Sequence, residues 1–123
     1  MEIMRIAVDI DGTLFKGGTP QNGYRDAKPN LEPIPGMKLS PIAFVKVLFN
    51  LGHEIVIYTA RGSQNVTPEL MLLTQAQLKE AGVEGSHIVF NKPAADYYVD
   101  DRAVTFQQLK DLAMNKLEQG AQN

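Results

Sequence analysis

The sequence has no cysteine, which excludes disulfides, thiolate catalysis and cysteine zinc sites and fits a cytoplasmic location. It has no apolar run that approaches membrane-spanning length, so no membrane partner is expected. The first residues, Met1 to Arg5, lack the apolar segment of a signal peptide. Excess charge is also small: a net −2 gives no electrostatic footprint for nucleic acid or an anionic membrane, although a nucleic-acid end stays open as a substrate. Internal repeats and low-complexity tracts are absent. What remains is ordinary for a globular chain, with 44% apolar and 21% charged residues. At 123 residues this is one domain, residues 1–123, large enough for a real core.

The most informative stretch is the run from Ile6 to Thr13. Ile6, Val8 and Ile10, with Ile3 before them, read as a buried strand, and Gly12-Thr13 marks its end. In an extended chain residues i and i+2 share a side, so Asp9 and Asp11 are expected to converge at the strand's carboxyl end. Two like charges held close repel, which calls for a cation or basic group between them. A buried strand gains little stability from such a pair, so a functional role outweighs that of two solvated acids.

Strand and helix then alternate. Residues 15–36, rich in glycine and proline, read as a long loop or short hairpin, a candidate flap. Ser40-Pro41 starts a helix with Ile42, Val45, Leu48 and Phe49 on one side, ending at Gly52. Glu54 to Tyr58 is a second strand, followed by Thr59 and Arg61. Thr67-Pro68 starts another helix, through Leu70, Leu73, Leu78 and Ala81, ending at Gly82. His87 to Phe90 and Asp96 to Val99 read as two further strands, with one of Tyr97 and Tyr98 in the core. Thr105 and Gln108 form a capping-box pattern before a last helix carrying Phe106, Leu109, Leu112 and Leu117, with a frayed tail beyond Gly120. The expected class is α/β, a three-layer Rossmann-like, mostly parallel sheet flanked by helices.

The four expected strands end in Asp9 and Asp11, Thr59, Lys92, and Asp100-Asp101. Parallel strands place these ends on one edge. Carboxylates form a hard oxygen site suited to Mg2+, which binds through one or two carboxylates plus phosphate oxygens and water. Lys92 brings a positive charge for an anionic substrate, and Thr59 a hydroxyl donor. Together these are the parts that phosphoryl transfer needs. Each residue also has a plainer reading: Thr59 as a turn cap, Lys92 as a solvated lysine, Asp100-Asp101 as turn acids, and Arg61 and Arg102 as surface ion pairs. His53 and His87 have no neighbour that suggests catalysis.

Over nearly its whole length the chain resembles the haloacid dehalogenase-like phosphohydrolases. The resemblance rests on Asp-x-Asp-Gly-Thr at Asp9 to Thr13, Thr59 after an apolar strand, Lys92-Pro93, and Asp100-Asp101. It implies that Asp9 is a nucleophile forming an aspartyl-phosphate from a phosphomonoester and that Asp11 is the general acid and base. An acid at this second position is what the family's phosphatases and phosphomutases have and its dehalogenases lack. The resemblance also implies Mg2+ held by Asp9, the Asp11 backbone carbonyl and the acidic pair, with Asp101 direct and Asp100 through water. Thr59 and Lys92 would grip phosphoryl oxygens, helped by backbone amides near Gly12.

No stretch is long enough for the cap domain of larger relatives. The expectation is a capless, open site bordered by the flap at residues 15–36, which shapes specificity. Capless relatives act on large substrates or complete the site by oligomerising, so a small or macromolecular phosphomonoester and a homo-oligomer both fit. Two other classes share parts of this pattern: a silent phosphate-binding module and a signalling receiver domain. The receiver places its acid pair on the first strand and its lysine last, an order this chain does not follow.

Overall fold

The apolar run at the N-terminus forms strand β1, Arg5–Val8, in a computed structural model that describes residues 2–63, 65–83, 87–98 and 102–122, with side chains in the last helix as far as Lys116. β1 is shorter than its apolar pattern. Ile3 is exposed, and after Val8 the chain turns, with the Ile10 carbonyl accepting from the amides of Thr13, Leu14 and Phe15. Ile10 is nonetheless buried, because the turn folds it inward. Asp9 and Asp11 therefore leave a turn, not a strand, and the period-two argument for their convergence does not apply.

The segment from Phe15 to Gly36 is a short hairpin with a body of its own. Its two strands, β2 (Phe15–Lys16) and β3 (Lys28–Pro29), pair antiparallel, and a 3-10 turn at Pro20–Asn22 lies between them. Phe15 and Ile34 are buried in the main core, so both ends of the segment are anchored.

Helix α1, Pro41–Asn50, starts as its sequence signals: the Ser40 hydroxyl accepts from the Ala43 amide and Pro41 takes the first helical position. Helix α2, Pro68–Glu80, repeats the device with Thr67 capping Leu70. Both helices stop at a glycine. Gly52 and Gly82 adopt φ of +96° and +82°, and each helix closes with a pair of bonds from the two residues after its cap. On α1, Ile42, Val45 and Leu48 are buried as expected, but Phe49 is exposed and Phe44 takes its place inside.

Strand β4, Glu54–Tyr58, lies between β1 and β5 (His87–Val89), parallel to both. The expected strand at Asp96 to Val99 does not form over residues 96–98; Val99 lies outside the described residues. Among the described residues no strand pairs with this stretch, and a strand forms only against a bonded neighbour. Tyr97 and Tyr98 are both exposed, so neither joins the core.

Helix α3, Phe106–Gln122, opens with the expected reciprocal capping box, Thr105 and Gln108 each bonding the other's amide. It runs through Gly120 rather than fraying there; one glycine costs about 1 kcal/mol, which a long helix absorbs. Phe106 meets Phe44 edge to face at 5.9 Å, joining α3 to α1. Leu112, expected on the packed face, is exposed, whereas Leu109 and Ala113 are buried; the side chain of Leu117 lies outside the described set. The result is a small α/β protein, a three-stranded parallel sheet flanked by helices. No helix among the described residues is long and apolar enough to cross a membrane.

Candidate active site

Parallel strands carry their carboxyl ends on one edge, and the residues following β1, β4 and β5 meet there. Asp9 comes directly after β1. Its side chain is 32% exposed, and its Oδ1 lies 3.6 Å from Lys92 Nζ. Its Oδ2 accepts from the Thr13 hydroxyl at 3.4 Å, because the turn around Ile10 swings Thr13 back toward it. Lys92 follows β5 and is tied to the end of β4 by its amide bond to the Thr59 carbonyl. Its side chain is only 16% exposed. The ammonium lies 4.2 Å from the Tyr98 ring centroid and 5.7 Å from that of Tyr58. A cation held by two aromatic faces and one carboxylate is not a freely solvated lysine.

Asp11 is held by a different partner. Arg61 Nε donates to its Oδ2 at 2.8 Å and Arg61 Nη2 to its Oδ1 at 2.9 Å, a bidentate fork. Arg61 was expected at the surface. Its side chain is instead 0% exposed, and its third nitrogen, Nη1, donates to Thr74 Oγ1 at 3.1 Å and Gln77 Oε1 at 2.6 Å on α2. Burying a guanidinium is costly unless every donor finds a partner, and here all of its nitrogens do. The Tyr24 ring, from the hairpin segment, closes over it at 4.8 Å. Burial first, then the charge of Asp11, raises the Tyr24 phenol above its ordinary range, with Arg61 opposing, so it stays neutral near pH 7.

Thr59 is buried, and its hydroxyl accepts from the Arg61 amide at 3.0 Å. The turn-capping role is thus realised, and it aims the Arg61 backbone; the hydroxyl keeps its own proton to donate. The Gly12 amide donates to the Phe15 carbonyl at 2.8 Å, so it serves the turn and is not open to a phosphoryl oxygen. Asp100 and Asp101, expected as metal ligands, lie outside the described residues. Among the described residues no group of three or more His, Cys, Asp or Glu gathers as a ligand set.

His53 is buried with Nδ1 accepting from the Met4 amide at 3.0 Å, and its Nε2 has no partner. It lies at the start of β4, at the sheet's opposite edge. Burial, and then the positive charge of Lys116, lowers its pKa below the usual 6.5. An open groove of about 610 Å3, lined by Gly62, Ser63, Val66, Ile88, Phe90 and Asn91, takes in residues that follow Arg61 and residues that precede Lys92.

Sequence reasoning gave no role to Tyr24, Thr74 and Gln77, used Thr13 only as part of the motif, and favoured a surface ion pair for Arg61. A signal for part of this was present: Thr74 and Gln77 stand one turn apart beside Leu78, and polar residues on a helix's inward face imply a buried charge to bond. Nothing local marks Tyr24 as the residue that closes over Arg61. Compared with protein-family models, curated proteins and solved structures, the chain matches none, so the functional reading rests on these residues and their geometry.

Proposed function

We propose that the chain is a magnesium-dependent phosphatase of the haloacid dehalogenase-like type, hydrolysing a phosphomonoester through Asp9. The observation that carries this reading is the pairing of Asp9 with Lys92 at the carboxyl edge of a parallel sheet, beside Thr13 and within a turn of the fixed Asp11. The Asp9 carboxylate makes only long contacts and is a third exposed, so it can reach a phosphorus atom. Lys92 offsets the repulsion between this carboxylate and an anionic substrate.

In the proposed reaction an Asp9 oxygen attacks phosphorus, the bond to the leaving oxygen breaks, and Asp11, ionised against Arg61 at rest, relays to that oxygen the proton that a monoanionic ester brings with it. Water then attacks the aspartyl-phosphate and gives a proton back to Asp11, and the Asp9–phosphorus bond breaks to release orthophosphate. A donor set of carboxylates and carbonyl oxygens suits Mg2+. Asp9 would supply one carboxylate and Asp11 its backbone carbonyl, since its side chain is committed to Arg61; Asp101, with Asp100 through water, would complete the set. When bound, the ion would neutralise phosphoryl charge.

The test is a panel of phosphomonoesters assayed with and without Mg2+ and with chelator. Asp9→Asn is expected to lose on the order of a thousandfold in kcat/KM, and chelator to abolish turnover. Full activity in Asp9→Asn, or turnover indifferent to chelator, would overturn the mechanism. Binding of phosphate without turnover would favour a silent phosphate-binding module instead.

A further inference from the structure

Three features place the hairpin segment against Asp11 and its partner Arg61. Gln77 bonds at both ends: its Oε1 accepts from Arg61 Nη1, and its Nε2 donates to the Tyr24 carbonyl at 2.8 Å. The Tyr24 ring covers the guanidinium that holds Asp11. Gly18 sits so close that a Cβ there would lie 2.6 Å from Asp11 Oδ1 and 2.9 Å from Ala27 Cβ. The segment thus reaches the acid from its side-chain partner, from its ring cover and from its backbone.

We infer that Arg61 and Gln77 are positioning residues through which seating of the Phe15–Gly36 segment and placement of the Asp11 carboxylate form one coupled unit. This rests on the phosphatase reading for its catalytic half only. With both Asp11 oxygens already accepting from Arg61, proton transfer uses the lone pairs the fork leaves free, so the direction in which Asp11 can deliver a proton is set by Arg61. Gln77 fixes Arg61 and the segment together. A substrate that displaces the segment would then also move the acid.

The coupling makes two predictions that read different things. The first needs no activity. Arg25 is exposed beside Tyr24, so trypsin cleavage after it reports whether the segment is seated. Gln77→Glu keeps the acceptor for Arg61 but loses the donor to Tyr24, and Asp11→Asn cannot hold the guanidinium through two oxygens. Both are expected to speed cleavage after Arg25 by about tenfold or more beyond any rise in cleavage after Lys46 in α1, which reports general unfolding. Unchanged cleavage after Arg25, or an equal rise at both sites that signals general unfolding, would overturn the coupling.

The second reads proton delivery. An aryl ester such as p-nitrophenyl phosphate leaves without protonation, whereas an alkyl phosphate needs it. Gln77→Glu and Arg61→Lys should each lose about tenfold more kcat on the alkyl than on the aryl ester, a selectivity that simple destabilisation does not produce. Equal losses on both esters, with Arg25 released, would remove the catalytic half. A wild type inert on both esters would overturn the phosphatase reading and that half with it, leaving the proteolysis arm to decide the coupling itself.

Discussion

At the scale of single residues, the two aspartates of the site are held by opposite means. Asp11 neutralises a fully buried guanidinium, whereas Asp9 meets its ammonium at 3.6 Å with a third of its side chain exposed. Removing Asp11 strands a buried charge, so Asp11→Ala should cost about 3 kcal/mol. Asp9→Asn should stay within about 0.5 kcal/mol of wild type. Urea denaturation of both variants checks the contrast, and equal losses would contradict it. His53 supplies a pH dependence of known sign. Its folded pKa lies below the usual 6.5, so below that pH the unfolded chain takes up a proton the folded one resists. Stability should be full above about pH 6.5 and fall progressively as the pH drops below it. His53→Asn, whose Oδ1 can still accept from Met4, should flatten that slope in urea midpoints measured from pH 7.5 to 5.5.

Among the elements, the helix starts carry stability that can be measured one residue at a time. Thr67→Ala removes the acceptor for the Leu70 amide and should cost about 1 kcal/mol, read as a lower melting temperature. These starts were legible in the sequence because capping is local: Ser40-Pro41, Thr67-Pro68 and the Thr105–Gln108 pair each need only neighbours within four residues. The glycine stops at Gly52 and Gly82 were legible for the same reason. Strands were legible only where apolar content was dense, as in β1 and β4. At Asp96 to Val99 two tyrosines and a valine suggested a strand, but a strand also needs a bonded neighbour, which no local pattern states. The Arg61–Asp11 fork spans fifty positions, and that distance is why Arg61 was read as a surface residue.

For the whole molecule, the segment between β1 and α1 is part of the core as much as a border of the site. Phe15 and Ile34 are buried at its ends, and Tyr24 covers Arg61 in the middle. Excising residues 17–28 should therefore lower the melting temperature and, on the phosphatase proposal, change substrate preference as well. A trimmed protein with wild-type stability would show that the segment is a detachable flap. The sheet has a further consequence in time. Arg5 aligns with Glu54, and the two are joined by a side-chain bond across 49 positions. Parallel pairing over that span cannot nucleate locally and must wait for a long closure. A ribosome has to deliver Tyr58 before Arg5–Val8 finds its neighbour, so the nascent chain makes Asp9 early and shapes its surroundings late.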